Sequence, residues 1–240
     1  MTSRGKAIAL LSSGLDSTVS LAAAMADANT EVTLALTINY GQRAAQREIE
    51  AAQKIAEYYD TPHKVIQLPW LGELLPKALT PKSKIKNNAE VHGMEMGAEA
   101  EMDTTDVMSV NHVWVPNRNG VLLNVAAAYA EATGAESLIF GANAEEAVDF
   151  PDNTQQYRDR VNAAFEFSTL NKVKVKTPVG NLRKADIVQL ASQLNCPLHL
   201  VWSCYEDTPV QCGVCASCSR LKAALKASPG FAVPFGDSQA

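Results

Sequence analysis

The sequence predicts an α/β protein: one doubly wound, mostly parallel sheet with a small cysteine-rich region at its C-terminal end. Three observations carry that expectation. Short continuous apolar runs alternate with longer stretches of helical periodicity, and strands separated by helices pair in parallel through right-handed crossovers. Polar loops follow three of the apolar runs, on the rim where an open parallel sheet keeps its ligands. Four of the five cysteines fall between positions 204 and 218, beyond the last predicted strand.

The first strand is read over 6–11 (KAIALL), a continuous apolar run of the kind a strand buried on both faces requires. The helix after it, 17–28, is rich in alanine and apolar along its whole length. Strands at 31–38 (EVTLALTI), 64–68 (KVIQL), 137–141 (SLIFG) and 173–178 (VKVKTP) extend the sheet, with helices at 44–59, 120–133 and 155–167 between them. In the last strand lysine alternates with valine, so one face is wet and the other buried. Residues 69–110 break the rhythm: long, charged, methionine-containing and without period. Loops of that length are lids, binding loops or disordered segments, and a mobile insertion over the site is expected. From about Pro197 the cysteines concentrate, giving two units, 1–196 and 197–240.

Composition bounds the function. The chain has 240 residues, 47% of them hydrophobic and 20% charged, enough for a sizeable core, and a formal net charge of −5. An acidic balance argues against a polynucleotide partner, whose phosphates need a basic face. The two basic clusters, 81–88 (PKSKIKNN) and 171–176 (NKVKVK), read as solvated faces. A small-molecule substrate is favoured. The apolar run near the N-terminus is too short for a secretory signal, and no stretch approaches the roughly 18 apolar residues of a membrane span. A cytoplasmic location without membrane contact is the expectation.

The stretch SSGLDST (12–18) joins the first strand to the first helix. A strand feeding a tight polar turn into a helix aims backbone N–H groups and the positive helix end at one point, where anions bind. An ordinary turn, with Asp16 or Ser17 capping the helix, would use the same residues. Neither the G-x-x-x-x-G-K-[ST] loop nor G-x-G-x-x-G occurs. The loops NYGQR (39–43) and GANAEEAVDFPDN (141–153) lie at the same rim. Cys204, Cys212, Cys215 and Cys218 form two overlapping C-x-x-C steps with a fourth thiol across a short loop, which suits tetrahedral zinc. An iron–sulfur cluster is the rival, but its signature ends in a cysteine followed by proline, absent here. Four thiolates leave no open position, so the zinc is structural. Cys196 stands outside the group and reads as a small buried hydrophobe.

SSGLDS resembles the SGGxDS pyrophosphate loop of the PP-loop ATPase superfamily, whose members turn ATP into AMP and pyrophosphate. YGQR (40–43), VPNRN (115–119), GANAEEAVDFPDN, TPVGNLRKADIV (177–188) and WSCY with CGVCASC (202–205 and 212–218) follow in order. As a set they resemble the 7-cyano-7-deazaguanine synthase family of the queuosine pathway. The resemblance implies an adenine-nucleotide alpha hydrolase-like fold. It also implies a C–N-bond-forming ligase that uses Mg²⁺-ATP, ammonia and 7-carboxy-7-deazaguanine, and a homodimer.

Carried onto this chain, the ATP cradle comprises Leu11, Ser12, Ser13, Gly14, Leu15, Asp16, Ser17, Thr18, Val19, Ser20 and Leu21. Asp16 is assigned to Mg²⁺ or to ordering the loop, and Arg118 and Lys184 to the α-phosphate. Tyr40, Gln42, Arg43, Arg118 and Asn143 are assigned to the substrate. Glu146, Asp149 and Asp152 are all candidates for the carboxylate that accepts the N1–H and amine of the deazaguanine edge. Three departures stand out. Ser13 occupies a glycine position, where a positive φ would cost serine about 1 kcal/mol, or its hydroxyl could serve a phosphate oxygen. Ala44 stands where the family often has histidine, and Pro151 to Thr154 read PDNT in place of PDCR. A tRNA-thiolating or lysidine-type PP-loop enzyme and a non-catalytic zinc knuckle are the competing readings; the first should carry a basic surface or an appended RNA domain, and the second leaves SSGLDS unexplained and is opposed by the acidic balance.

Overall fold

The structure is a computed structural model that describes residues 4–81, 113–226 and 232–236. Five parallel strands form one sheet in the order β3-β2-β1-β4-β5. They are β1 (Gly5–Leu10), β2 (Thr30–Asn39), β3 (His63–Gln67), β4 (Ser137–Ile139) and β5 (Lys174–Lys176). Ala7 pairs with Val32 on one side and Ser137 on the other. The chain winds outward from β1 to β3, then returns to lay β4 against the far side of β1. The order therefore reverses between β1 and β4, which puts a topological switch point at the end of β1.

Alternation along β1 explains the two layers. Ile8 and Leu10 face one side with Leu36, Ile38, Leu138 and Phe140, under α3 (Arg118–Thr133) and α5 (Gln155–Ser168). Ala7, Ala9 and Leu11 face the other side with Ala35 and Ile139, under α1 (Leu15–Ala26) and α2 (Ala45–Tyr58). The alanines on that second face allow close helix approach, and Leu21 and Ile55 are fully buried against it. Each such side chain contributes about 1.5–3 kcal/mol.

The all-round apolar character of α1 has a cause. Its opposite side, Leu15, Val19 and Ala22, meets Ile187, Val188 and Ala191 of α6 (Lys184–Gln193) and Leu221 and Ala224 of α7 (Ala216–Lys226). A helix covered on both sides needs no polar face. The region after Pro197 joins the sheet layers through this cluster.

The strands expected at 137–141 and 173–178 are trimmed to three residues each, because the chain turns off into the rim; Phe140 N still donates to Lys176 O at 2.9 Å. In β5 Val175 is buried and Lys176 exposed, as the alternation implies. Three helices absent from the sequence reading appear: α4 (Glu146–Asp149), α6 and α7. All are short, and α6 starts from a local device, Asp186 accepting from the Arg183 N–H at 3.3 Å. The expected insertion falls mostly on residues 82–112, outside the described residues, as does most of the 81–88 cluster. Its described flank begins with a 3-10 turn, Pro69–Leu74, and Leu71 and Leu79 pack on Val115. Among the described residues no helix is long and apolar enough to cross a membrane.

Candidate functional site

The switch point is filled by the 12–18 loop. Leu11 N donates to Leu36 O at 2.8 Å, and Thr37 Oγ1 donates to Leu11 O at 2.6 Å, so the strand is held to the point where the loop begins. Ser12 and Ser17 then close on each other: Ser12 N donates to Ser17 Oγ at 3.2 Å, with the two hydroxyls 3.1 Å apart. Ser17 and Thr18 hydroxyls bond back to Gly14 O. Gly14 caps α1 with extended backbone and no side chain, so no side-chain acceptor covers the first-turn N–H groups. Behind them Gly141 lies so close that a Cβ would meet Ser17 N at 2.6 Å; no other residue fits there.

Ser13 adopts φ 63°, the left-handed region that the sequence comparison raised for this position. Its side chain is fully buried and its Oγ donates to Ser12 O at 2.5 Å. In this arrangement the hydroxyl serves the loop's own carbonyl. Ser13 O accepts from Trp202 N at 3.0 Å, so the C-terminal region braces the loop.

Asp16, Lys184 and Glu146 form one cluster from three elements. Lys184 Nζ lies 3.1 Å from Asp16 Oδ2 and 2.8 Å from Glu146 Oε1. Asn143, fully buried, donates to Asp16 Oδ2 at 2.9 Å and accepts from Glu146 N at 2.9 Å. Burial raises the Asp16 carboxyl above its ordinary range, against the pull of Lys184. Burial acts the same way on Glu146, but Lys184 overrides it and the net direction is down. Burial alone would depress the Lys184 ammonium; the two carboxylates carry it above its usual value. Asp16 Oδ1 is buried with no hydrogen-bond partner. An orphaned carboxylate oxygen beside an open helix start suits a hard divalent cation, which takes oxygen ligands.

Arg118 is the first residue of α3, after Asn117 in a left-handed cap. A cation at a helix start opposes the dipole, and this one sits among Tyr40, Asp152 and Glu146. Burial raises the Tyr40 phenol, with Arg118 acting against it. Gln42 is buried, and its amide is spent on Tyr40 N and Glu48. Arg43 is also engaged: its guanidinium donates to Thr80 O, to Lys77 O and to Glu206 at 2.5 Å. Asp152 is half-buried near Arg118, and burial raises its carboxyl. Asp149 is exposed.

A cavity of about 260 Å³ opens over these groups. Its walls include Ser12, Gly14, Asp16, Ser17, Tyr40, Gln42, Arg43, Arg118, Glu146 and Lys184. Val19, Ser20 and Leu21 lie deeper in α1 and are buried. Asn143 stands behind Asp16. The sequence reading missed Glu48, Asn119 and Tyr205, which also line the cavity. A signal for Glu48 existed: it falls on the stripe Ala44, Ala51, Ala52, Ile55, Ala56, an acid in the buried face of an amphipathic helix.

The four cysteines come together as expected, with all Sγ atoms within 4.8 Å of one another. A tetrahedron with zinc–sulfur bonds of ~2.3 Å has edges of about 3.8 Å, so the set fits the ion. Cys204 Sγ accepts from Glu206 N and Cys212 N, and Cys212 Sγ from Cys215 N, each at 3.3 Å; backbone donors of this kind favour thiolates. Gly213, at φ 75°, makes the knuckle turn. Cys196 is buried in the α1–α6–α7 cluster, and burial pushes its thiol up to about 11.

Fold and rim together define a parallel α/β protein with a polar strand-to-helix loop at its switch point and a cluster of four cysteines that could hold a metal ion. The family model for queuosine biosynthesis protein QueC matches residues 6–228. The 7-cyano-7-deazaguanine synthase of Carboxydothermus hydrogenoformans is 48% identical over 220 residues, 91% of this chain and 97% of that protein. Those of Desulforamulus reducens and Methanosarcina barkeri are each 44% identical, over 89% and 92% of this chain and 90% and 94% of theirs. The chain belongs to the QueC family of 7-cyano-7-deazaguanine synthases, as its motifs implied. Among solved structures, the U34-tRNA thiolase NcsA from Methanococcus maripaludis aligns with a TM-score of 0.47 and 16% identity, over 82% of this chain and 62% of that one.

Proposed function

We propose that this chain is an ATP-dependent ligase that converts 7-carboxy-7-deazaguanine and ammonia to 7-cyano-7-deazaguanine, in queuosine biosynthesis. The observation that supports it best is the 12–18 loop at the switch point, opening on a cavity walled by Arg118, Lys184 and Glu146, in a chain matched along its length by synthases of that name. The chemistry follows from the leaving group. A carboxylate cannot expel oxide, so its oxygen attacks the α-phosphorus of ATP, forming an O–P bond as pyrophosphate leaves. Ammonia attacks the acyl carbon, AMP departs, and the amide remains. The amide oxygen attacks a second ATP in the same way; loss of AMP and the amide protons leaves the nitrile.

The 12–18 loop and the start of α1 hold the β and γ phosphates through hydroxyl and N–H donors. Arg118 and Lys184 face the charge that develops at the α-phosphate, and Lys184 reaches it by exchanging its carboxylate partners for phosphate oxygens. Asp16 would hold Mg²⁺ through Oδ1. When bound, that ion neutralises the pyrophosphate. Tyr40, Arg43 and the acids Glu146, Asp149 and Asp152 form the substrate side, and Gln42 and Asn143, whose amides are taken up by Tyr40, Glu48, Asp16 and Glu146, hold the groups around it. Cys204, Cys212, Cys215 and Cys218 would hold structural zinc, in a region running from about Pro197. Ammonia enters as free ammonium, and the chain works as a cytoplasmic homodimer. The test is a mass balance with Mg²⁺-ATP, ammonium and the deazaguanine acid. AMP should reach two equivalents per nitrile, and the primary amide, supplied directly, should consume one. ADP released in step with nitrile would overturn the reading.

A further inference from the structure

Glu48 is a cavity carboxylate that none of the roles above employs. It stands in the first turn of α2, on that helix's buried stripe, and lines the cavity with Tyr40, Gln42 and Arg118. Its Oε2 accepts from Gln42 Nε2 at 2.7 Å. Gln42 has no freedom to turn away, because its Oε1 accepts from Tyr40 N at 3.0 Å. The amide must therefore present its NH₂ to Glu48. Among the described residues no lysine or arginine lies within ion-pair distance of Glu48. Burial holds its carboxyl above the usual range, with the Gln42 hydrogen bond and the Arg118 charge acting against it.

A carboxylate offers about four acceptor positions, and among the described residues one neutral donor fills one of them. The other rim acids are differently placed. Asp16 and Glu146 share Lys184, Asp152 lies beside Arg118, and Asp149 is exposed. Leu36, Ile38, Leu122 and Phe140 supply apolar wall in the same cavity, which suits a flat ring system with a polar edge.

We propose that Glu48 is the residue that reads the guanine-like edge of the substrate, accepting its N1–H and exocyclic amine in parallel, with Gln42 as the positioning residue that aims it. The inference rests on the deazaguanine reading of the previous section and replaces the three acids as edge reader. It also gives selectivity between the two bases in the reaction. Adenine presents one donor beside one acceptor, so an ionised Glu48 repels half of that edge.

The test compares wild type with Glu48→Gln on the deazaguanine acid and on its analogue lacking the exocyclic amine, with AMP release as readout. Wild type should favour the acid in kcat/KM by about 10- to 100-fold, the worth of one hydrogen bond to a charged group. Glu48→Gln should lose a similar factor on the acid, discriminate the two substrates by a ratio close to one, and keep its KM for ATP. Wild-type discrimination in the variant, or a raised KM for ATP in its place, overturns the proposal and leaves the functional reading standing. Should Glu48→Gln fail to fold, Glu48→Asp carries the same comparison, since the shortened acid should also lose discrimination. Wild type that ignores the deazaguanine acid altogether overturns both.

Discussion

Replacing Lys184 by methionine keeps the length of the side chain and removes the ammonium that Asp16 and Glu146 share. The three side chains are 14%, 14% and 28% exposed, so the pair is neither dry nor freely hydrated. Breaking a buried ion pair costs about 3–5 kcal/mol, and partial access of water sets the figure here at the lower end, about 3 kcal/mol. For a chain of this length that lowers Tm by about 6–12 °C near neutral pH. The loss should depend on pH with a definite sign. In the wild type, the depressed Glu146 carboxyl contributes stability that is present above its ordinary value of 4.5 and lost as pH falls through the folded value. Asp16, raised from 3.8, works the other way: its cost is present at neutral pH and relieved by acid. Lys184, raised from 10.5, contributes fully below that value and loses its contribution only in strong base. In Lys184→Met both carboxyls are raised, so the variant is penalised when they are ionised and spared when they are protonated. Thermal unfolding followed by circular dichroism at about pH 7 and about pH 4.5 measures the gap between the two proteins. It should narrow toward acid. A gap that is absent at neutral pH, or constant across the range, refutes the argument.

Two further outcomes follow from the loop and the metal site. Ser13→Gly trades relief of a left-handed serine, about 1 kcal/mol, against a lost hydrogen bond of similar size and greater chain entropy. Tm should stay within about 3 °C and turnover should not fall; a large loss of turnover would mean that the Ser13 hydroxyl reaches phosphate. Cys212→Ser should lose zinc together with soluble, folded protein, because metal binding to such a site contributes on the order of 10 kcal/mol to folding; iron, or no metal, in well-folded wild type by elemental analysis would remove the claim.

The architecture was legible in the sequence where physics acts locally. The continuous apolar run of β1, the small hydroxyl residues after it and the helical spacing beyond placed the loop at a strand end, and the cysteine spacing announced the four-cysteine cluster. Strands separated by helices implied a rim where the polar loops meet, while the strand order, and with it the switch point at β1, came from the structure. What stayed hidden depends on distant partners. The guanidinium of Arg43 is taken up by Lys77, Thr80 and Glu206, contacts that no local pattern announces. Nothing around Lys184 in the sequence announces its carboxylate partners, Asp16 and Glu146, which the fold brings to it. The helices α6 and α7 escaped because each is short and its apolar stripe is completed only by α1. Ser13 was flagged because serine stands where the loop it resembles has glycine, and the positive φ gives that flag its physical content.

The double cover of α1 also bears on how the chain is made. Residues 15–26 leave the ribosome before the elements that cover them, and the sheet side of the helix can be satisfied as soon as β2 and α2 follow. The other side, with Leu15, Val19 and Ala22, waits for α6 and α7, which follow β5 in the chain. Until those helices emerge, the nascent chain therefore carries an oily ridge beside its 12–18 loop, the kind of transient surface on which nascent chains aggregate. Cys218 lies on the same helix as Leu221 and Ala224, so a chain whose cysteine cluster came apart would show that ridge again after synthesis.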